Sequence, residues 1–179
     1  YALYAWALAG DNTDELCQKD IDVEDEQMEL GTINWTPTCY ETKLWQIGSN
    51  NRRSDGFNLS DHLRAYGMWN DVPANLNFTI GESKESTDWY YAQTQNGTWT
   101  INFKTDKSYT GNLYLTASVA GAANKPKVAV ALNGNTRATW STYSDSGIFR
   151  SAMLGGKHNL YKLTIPASLL KTADNKLTL

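Results

Sequence analysis

The sequence predicts an all-β protein, and three observations support this fold class. Apolar and polar residues alternate with a period of two in many short segments, such as Trp99–Phe103 and Leu113–Ala117. Gly and Asn clusters separate these segments, and Asn133-Gly134 is a strong signal for a tight hairpin turn. Helical patterns are few. Many short strands joined by such turns are typical of a β-sandwich or barrel.

The N-terminal segment is expected to contribute strands of its own. Tyr1–Ala9 is apolar and is predicted to be a strand. Alternating apolar residues between 21 and 35 predict two more strands on either side of the acidic turn Glu24–Glu26. A boundary follows near residues 36–43, and a new unit begins at Leu44. The segment before the boundary is therefore interpreted as the closing strands of a small β-sandwich.

Two short helical turns are expected within the larger unit. Ser60 is predicted to cap a short helix that ends near Gly67. Pro166 is predicted to begin one helical turn that reaches Lys171, since proline favours the first position of a helix. Neither turn changes the fold class.

Composition and charge limit the classes of function. The hydrophobic content of 41% is sufficient for a packed core. No apolar run approaches the roughly 20 residues that cross a bilayer, so we expect no membrane partner. Residues 1–43 hold ten acids and two bases, and residues 44–179 hold nine acids and fourteen bases. The basic larger unit favours a polyanion, although ordinary surface charge is the alternative, and we expect no nucleic acid partner.

Catalytic signatures are absent from the sequence. The two histidines, His62 and His158, are far apart and lack triad-like neighbours. No phosphate-binding, nucleophile-elbow or zinc-protease motif occurs. We therefore expect no catalytic residue and no cofactor on this chain.

Aromatic residues that sit among polar or loop residues, and basic residues in or near predicted loops, are the candidates for a sugar-binding site. Pyranose rings pack on aromatic faces, and arginine pairs with carboxylates such as those of galacturonate. For each residue, core filling or a solvated rim is the alternative. The candidates are Trp69, Trp140, Tyr143, Arg137, Arg150, Lys157 and His158.

Cysteines and sequons suggest an extracellular protein. The single pair Cys17 and Cys39 is a plausible disulfide in such a compartment, and no zinc-ligand spacing is present. Four N-x-S/T sequons are expected acceptors for glycans, although their number alone is close to chance. In Leu76–Ile80 the alternation predicts that the sequon asparagine points outward. The four acceptors are Asn34, Asn58, Asn77 and Asn96.

Several segments occur in the order and spacing of a known family. They include Leu44-Trp45-Gln46-Ile47-Gly48, Arg64–Trp69, Asp88–Gln93, Trp99–Phe103 and Ile165–Leu170. Together these segments resemble the rhamnogalacturonan lyases of polysaccharide lyase family 4. The resemblance extends along nearly the whole chain.

The resemblance implies a domain organisation. Residues 1–38 correspond to the last strands of a fibronectin-III-like domain, and 39–43 to a linker. Residues 44–179 correspond to a galactose-binding-like, carbohydrate-binding jelly-roll. A structural calcium is common in such jelly-rolls, but no ligand set is readable here. The chain has no initiator Met and ends within an apparent strand, so we expect a piece of a longer protein.

The resemblance also implies a function. The family cleaves the rhamnogalacturonan backbone of pectin by β-elimination, with catalytic residues in an N-terminal domain. This chain is then expected to be the secreted lyase's non-catalytic C-terminal region, with rhamnogalacturonan and its own N-terminal domains as partners. One alternative is an extracellular structural or glycan-binding glycoprotein without catalytic activity. Another is that these domains only pack against their neighbours.

Overall fold

The computed structural model describes residues 1, 3–9, 12–18, 21–24, 26–38, 40, 42–49, 53–142, 144–145 and 158–179. The chain divides into two units, Tyr1–Gln46 and Ile47–Leu179. This division falls just after residue 44, where the sequence predicts the larger domain to begin. No helix in the described ranges is long and apolar enough to cross a membrane.

The described residues are nearly all β or irregular. Apart from one α-helical turn, α1 (Glu85–Asp88), the short helical pieces are 3-10 turns at Ala65–Gly67, Trp69–Asp71 and Ala167–Leu169. The described strands are β1 (Leu3–Ala9), β2 (Asn12–Gln18), β3 (Leu76–Thr79), β4 (Trp99–Lys104), β5 (Asn112–Val119), β6 (Lys127–Leu132), β7 (Asn135–Ser141), β8 (Asn159–Pro166) and β9 (Asp174–Thr178).

The smaller unit contains an antiparallel hairpin of β1 and β2. The predicted strand at Tyr1–Ala9 is confirmed by β1. Asp14 on β2 is buried, and its Oδ2 accepts a hydrogen bond from the Thr38 backbone N–H at 2.8 Å. That carboxylate ties the hairpin to the irregular segment that follows it.

The two strands predicted between residues 21 and 35 are wrong. The described residues 21–24 and 26–38 form no strand, and Val23, Met28 and Leu30 are exposed. Alternation identifies the face that a strand would bury, but it does not supply a hydrogen-bonding partner. Here the described backbone pairs β1 with β2 instead.

The larger unit is a jelly-roll β-sandwich, and the predicted all-β fold class is confirmed. One sheet has the order β3-β4-β9-β6-β7, and the other pairs β5 with β8. β3 and β4 are parallel, and the remaining pairs are antiparallel. Strand alternation directs Ile101, Phe103 and Leu177 inward, where each is at most 6% exposed.

Aromatic rings fill one end of the core. The Trp89 ring meets Phe78 edge-on at 5.6 Å and Trp99 edge-on at 4.9 Å between centroids. Such T-shaped pairs stabilise by about 0.5–1.5 kcal/mol beyond the area they bury. Trp99 and Phe103, on the apolar face of the alternating segment, are 4% and 6% exposed.

Two of the turns predicted from residue types are present, and one predicted helix is not. Asn133 and Gly134, at φ 51° and 81°, form the hairpin turn predicted between β6 and β7. The turn predicted at Pro166 is the 3-10 turn Ala167–Leu169. The helix predicted from Ser60 is wrong, because only Ala65–Gly67 is helical and the Ser60 hydroxyl donates to the Phe57 carbonyl instead of capping.

Candidate functional site

Two loops, residues 53–75 and 89–98, pack together where β3 begins. Backbone hydrogen bonds join Asn58 to Trp89 and Tyr91. Side chains of the second loop then donate to backbone carbonyls of the first: Tyr91 Oη to Ala65 at 2.8 Å, Thr94 Oγ1 to Trp69 at 2.6 Å, and Gln95 Nε2 to Val72 at 2.8 Å. These contacts anchor the backbone of the first loop between Ala65 and Val72.

Gly97 marks the closest approach of the two loops. A Cβ added there would lie 1.9 Å from the Ala74 carbonyl oxygen, which is much closer than side-chain contacts allow. Thr98 then donates its N–H to Asn75 Oδ1 at 2.9 Å. Glycine is therefore required at 97 to let the two backbones meet.

Tyr91 lies where the two loops meet, and the pKa of its phenol is shifted. Burial raises the pKa of Tyr91 above its ordinary value of 10.0, and the negative charge of Asp71 raises this pKa further. The phenol stays protonated and donates to the Ala65 carbonyl. Its role in the geometry is to hold the loop, not to exchange protons.

Trp69 is a predicted site residue that the structure leaves open. Its side chain is 58% exposed, and Leu63 on the same loop is 84% exposed. Because the Trp69 backbone carbonyl is anchored by Thr94, only the side-chain torsions of Trp69 remain to be ordered on binding. An exposed indole on an anchored backbone is suited to packing against a sugar ring.

Trp140 requires a correction. The polar residues around it in the sequence predict a sugar contact, but Trp140 lies on β7, is 9% exposed and stacks on Tyr161 with ring centroids 5.1 Å apart. The Tyr161 hydroxyl donates to the Ser141 carbonyl at 2.9 Å, which fixes the stacked pair. Trp140 therefore fills the interior and does not present a face to a sugar.

The other described candidates lie apart from Trp69. Arg137 is exposed at a register shift between β6 and β7, where the flanking pairs are Ala131 with Thr136 and Val130 with Ala138. His158 is buried just before β8, and its Nε2 lies 2.8 Å from the Ser118 hydroxyl. Burial makes His158 a structural residue in this geometry.

Several predicted residues lie outside the described ranges. Tyr143, Arg150 and Lys157 belong to this group, as does Cys39. The predicted disulfide and that part of the predicted sugar site therefore remain predictions. No group of three or more His, Cys, Asp or Glu side chains that could hold a metal ion occurs in the part of the chain that the structure describes.

The sequon asparagines differ in accessibility. Asn34, Asn77 and Asn96 are exposed, and Asn77 points outward between buried Leu76 and Phe78, as the alternation predicts. Asn58 is partly buried, and its Nδ2, the atom that would carry a glycan, donates to the Thr87 carbonyl at 2.8 Å. The geometry therefore disfavours Asn58 as an acceptor.

A depression of about 550 Å³ lies on the outer face of the five-stranded sheet, where β3 and β4 end and β9 begins. In-register pairing aligns Thr79, Asn102 and Lys176 across three strands, and it pairs Lys104 with Asp174. Lys171, from the segment before β9, also lines it. Sequence reasoning missed this surface because the order of strands in the sheet is not visible in the alternation.

A network of two asparagines underlies the depression. Asn175 is 3% exposed, and its Oδ1 accepts from the Lys171 N–H at 2.8 Å and from Asn133 Nδ2 at 2.9 Å. Asn133 Oδ1 accepts from the Lys176 N–H at 3.0 Å. The backbones that carry two of the lysines are therefore fixed from below.

Comparisons with known proteins agree with this architecture. Residues 43–179 match the model of the CBM-like domain III of polysaccharide lyase family 4. The whole chain aligns with a rhamnogalacturonate lyase of Dickeya dadantii (strain 3937), at 37% identity over 186 residues. The chain spans 32% of the length of that curated relative.

Proposed function

Because the chain belongs to polysaccharide lyase family 4, we propose that it is the non-catalytic C-terminal region of a rhamnogalacturonan lyase and that its jelly-roll binds pectic polysaccharide. The observation that carries the proposal is the match of residues 43–179 to a carbohydrate-binding-like domain. The relative that aligns with the whole chain is itself a rhamnogalacturonate lyase. Cleavage by β-elimination belongs, in this proposal, to the part of the protein outside this chain.

The structure offers a physical basis for binding. The exposed indole of Trp69 provides an apolar face for a sugar ring, and the loops that carry it are cross-linked by hydrogen bonds. The larger unit has an excess of bases, which favours an acidic polymer. Binding by such a domain would raise the local concentration of polymer around the catalytic part of the same protein.

An extracellular site of action completes the proposal. A protein that binds a plant-type cell-wall polymer must reach it outside the cell, so we infer secretion. A bond between Cys17 and Cys39 is compatible with that compartment. Of the four sequons, we expect glycans at Asn34, Asn77 and Asn96 only.

Affinity electrophoresis tests the binding. The chain, made in bacteria without N-glycosylation, is run in native gels with rhamnogalacturonan and in gels with a neutral glucan. We expect retardation only in the first gel. Trp69→Ala should weaken the affinity for rhamnogalacturonan severalfold, if the ring contact is of the size of an aromatic pair, about 0.5–1.5 kcal/mol.

The smaller unit offers a matched control. Trp6 is 57% exposed, nearly the same as Trp69, but lies on β1. Trp6→Ala should leave the mobility in rhamnogalacturonan unchanged. Equal mobility of the wild-type chain in all gels would refute the binding function, and equal losses for both variants would refute the assignment to the jelly-roll.

A further inference from the structure

The depression on the outer face of the five-stranded sheet is lined by lysine ammonium groups and by polar side chains that can still form hydrogen bonds. We propose that it is a second subsite, which binds the carboxylates of an acidic oligosaccharide. This proposal rests on the proposed function and names the part of the sugar that the depression recognises. The binding groups are Lys104, Lys171, Lys176, Thr79 and Asn102.

The sheet places these groups in a regular array. Thr79, Asn102 and Lys176 form one cross-strand row, and the pair Lys104 and Asp174 lies in the row two residues further along β4 and β9. Adjacent strands are about 4.8 Å apart, so a three-strand row spans roughly 10 Å. A saccharide lying across the strands can therefore contact several of these side chains at once.

The lysines are available for an external anion. None of the three ammonium groups forms an ion pair with any described residue, although two carboxylates, Asp174 and Glu82, also line the depression. The side chains of Thr79 and Asn102 are half-buried and form no hydrogen bond with the described residues. Half-buried polar groups with free hydrogen-bonding capacity can pair with the hydroxyl groups of a ligand in place of water.

The asparagine network beneath reduces the cost of binding. Asn175 fixes the Lys171 backbone through both its N–H and its carbonyl, at 2.8 and 2.9 Å. Asn133 does the same for Lys176, at 3.0 Å from its Oδ1 and 2.8 Å from its backbone N–H. A fixed backbone leaves only the lysine side chains to order when an anion binds.

The depression and the Trp69 loops lie at opposite ends of β3. The loops meet where β3 begins at Leu76, and the depression lies at Thr79 and beyond. Three residue steps of about 3.3 Å place them roughly 10 Å or more apart along the strand. One polymer chain that contacts both would bind more tightly than either contact alone.

Calorimetry on the whole chain tests the subsite. The probes are a rhamnogalacturonan oligosaccharide and the same oligosaccharide with its carboxyl groups reduced to alcohols. We expect the wild-type chain to bind the acidic probe more tightly, and added salt to weaken only that binding. The variant Lys104→Gln/Lys171→Gln/Lys176→Gln should lose about tenfold to a hundredfold affinity for the acidic probe, since each exposed charge contact contributes about two- to fivefold.

Two further variants keep the test specific. Lys127 lies on the same outward face at the far end of β6, so Lys127→Gln removes one lysine charge outside the depression and should bind like the wild type. Asp174→Asn removes a carboxylate from the depression and should strengthen binding of the acidic probe by about twofold. Unchanged melting temperatures, measured for every variant, show that the fold is intact.

The outcomes separate the two proposals. Wild-type binding that the triple variant retains would overturn the carboxylate subsite and leave the proposed function standing. Equal affinity of the wild type for the acidic and reduced probes would also overturn it. Failure of the wild-type chain to bind either probe would refute the binding function itself.

Discussion

Replacing Asn175 with alanine should destabilise the larger unit more than any surface substitution. The side chain is 3% exposed, and its amide bonds at 2.8–3.2 Å to the Lys171 N–H and carbonyl, Asn133 Nδ2, Thr105 Oγ1 and the Ala173 carbonyl. The oxygen accepts two bonds, and the two amide hydrogens serve the other three contacts. Alanine leaves the Lys171 N–H without its acceptor, where the hydrogen bond is partly buried.

The size of the effect follows from these bonds. Each buried hydrogen bond contributes about 0.5–1.5 kcal/mol net to the stability of the fold, and a buried donor left without an acceptor costs about 1–3 kcal/mol. Since the lost bonds share partners, we expect the free energy of unfolding to fall by about 2–4 kcal/mol. For a unit of this size the melting temperature should fall by roughly 10 °C.

Urea unfolding followed by tryptophan fluorescence measures this change, because Trp89 and Trp99 lie in the core of the same unit. Asn96→Ala is the control, since Asn96 is exposed in a turn and its side chain forms no hydrogen bond with the described residues. It should change the free energy of unfolding by less than about 0.5 kcal/mol. An Asn175→Ala variant as stable as Asn96→Ala would refute the structural role of the network.

Three further predictions concern the loops and the interior. Gly97→Ala should lower the free energy of unfolding by about 1–3 kcal/mol because its Cβ meets backbone, whereas Gly67→Ala, whose Cβ meets no atom within 4 Å, should be near neutral in the same denaturation assay. The raised pKa of Tyr91 predicts stability that is complete below pH 10.0 and falls above it, because the unfolded phenol ionises first; unfolding measured across this range should show a smaller fall in Tyr91→Phe. Trp140→Ala should lower the free energy of unfolding by about 3–5 kcal/mol, measured by thermal unfolding. A loss of sugar binding in that variant therefore does not identify Trp140 as a sugar contact. A variant as stable as the wild type would contradict the interior position of Trp140.

Much of the larger unit could be predicted from sequence because its strands carry their own signals. The alternation of Trp99–Phe103 and the Asn133-Gly134 turn correspond directly to β4 and to the hairpin between β6 and β7. Local chemistry determines both features. The helix expected at Ser60 failed because tertiary hydrogen bonds from the facing loop, including that of Tyr91 to Ala65, determine the backbone there.

Two of the segments that carry the family resemblance have structural roles. Trp89, from the Asp-Trp element, packs between Phe78 and Trp99. Gly48, from the Leu-Trp-x-Ile-Gly element, has φ 74°, and a Cβ there would lie 2.4 Å from the Phe57 ring. These residues identify the fold, and for that reason they say little about where a ligand binds.

The candidate site was harder to predict for physical reasons. Trp140 sits among polar residues in the sequence because its strand alternates, yet the strand turns its side chain inward. Lys104 and Lys176 are far apart in sequence and become neighbours only because β4 pairs with β9. Non-local pairing of this kind leaves no trace in a single segment.

Nuclear magnetic resonance titration of the isotopically labelled chain with a rhamnogalacturonan oligosaccharide tests the central claim most directly. We predict saturable shifts of the Trp69 indole N–H, and of the backbone amides of Lys104 and Lys176, at up to millimolar sugar. Amides of the hairpin β1–β2 should not move. Spectra that remain unchanged at millimolar oligosaccharide would contradict polysaccharide binding by this chain.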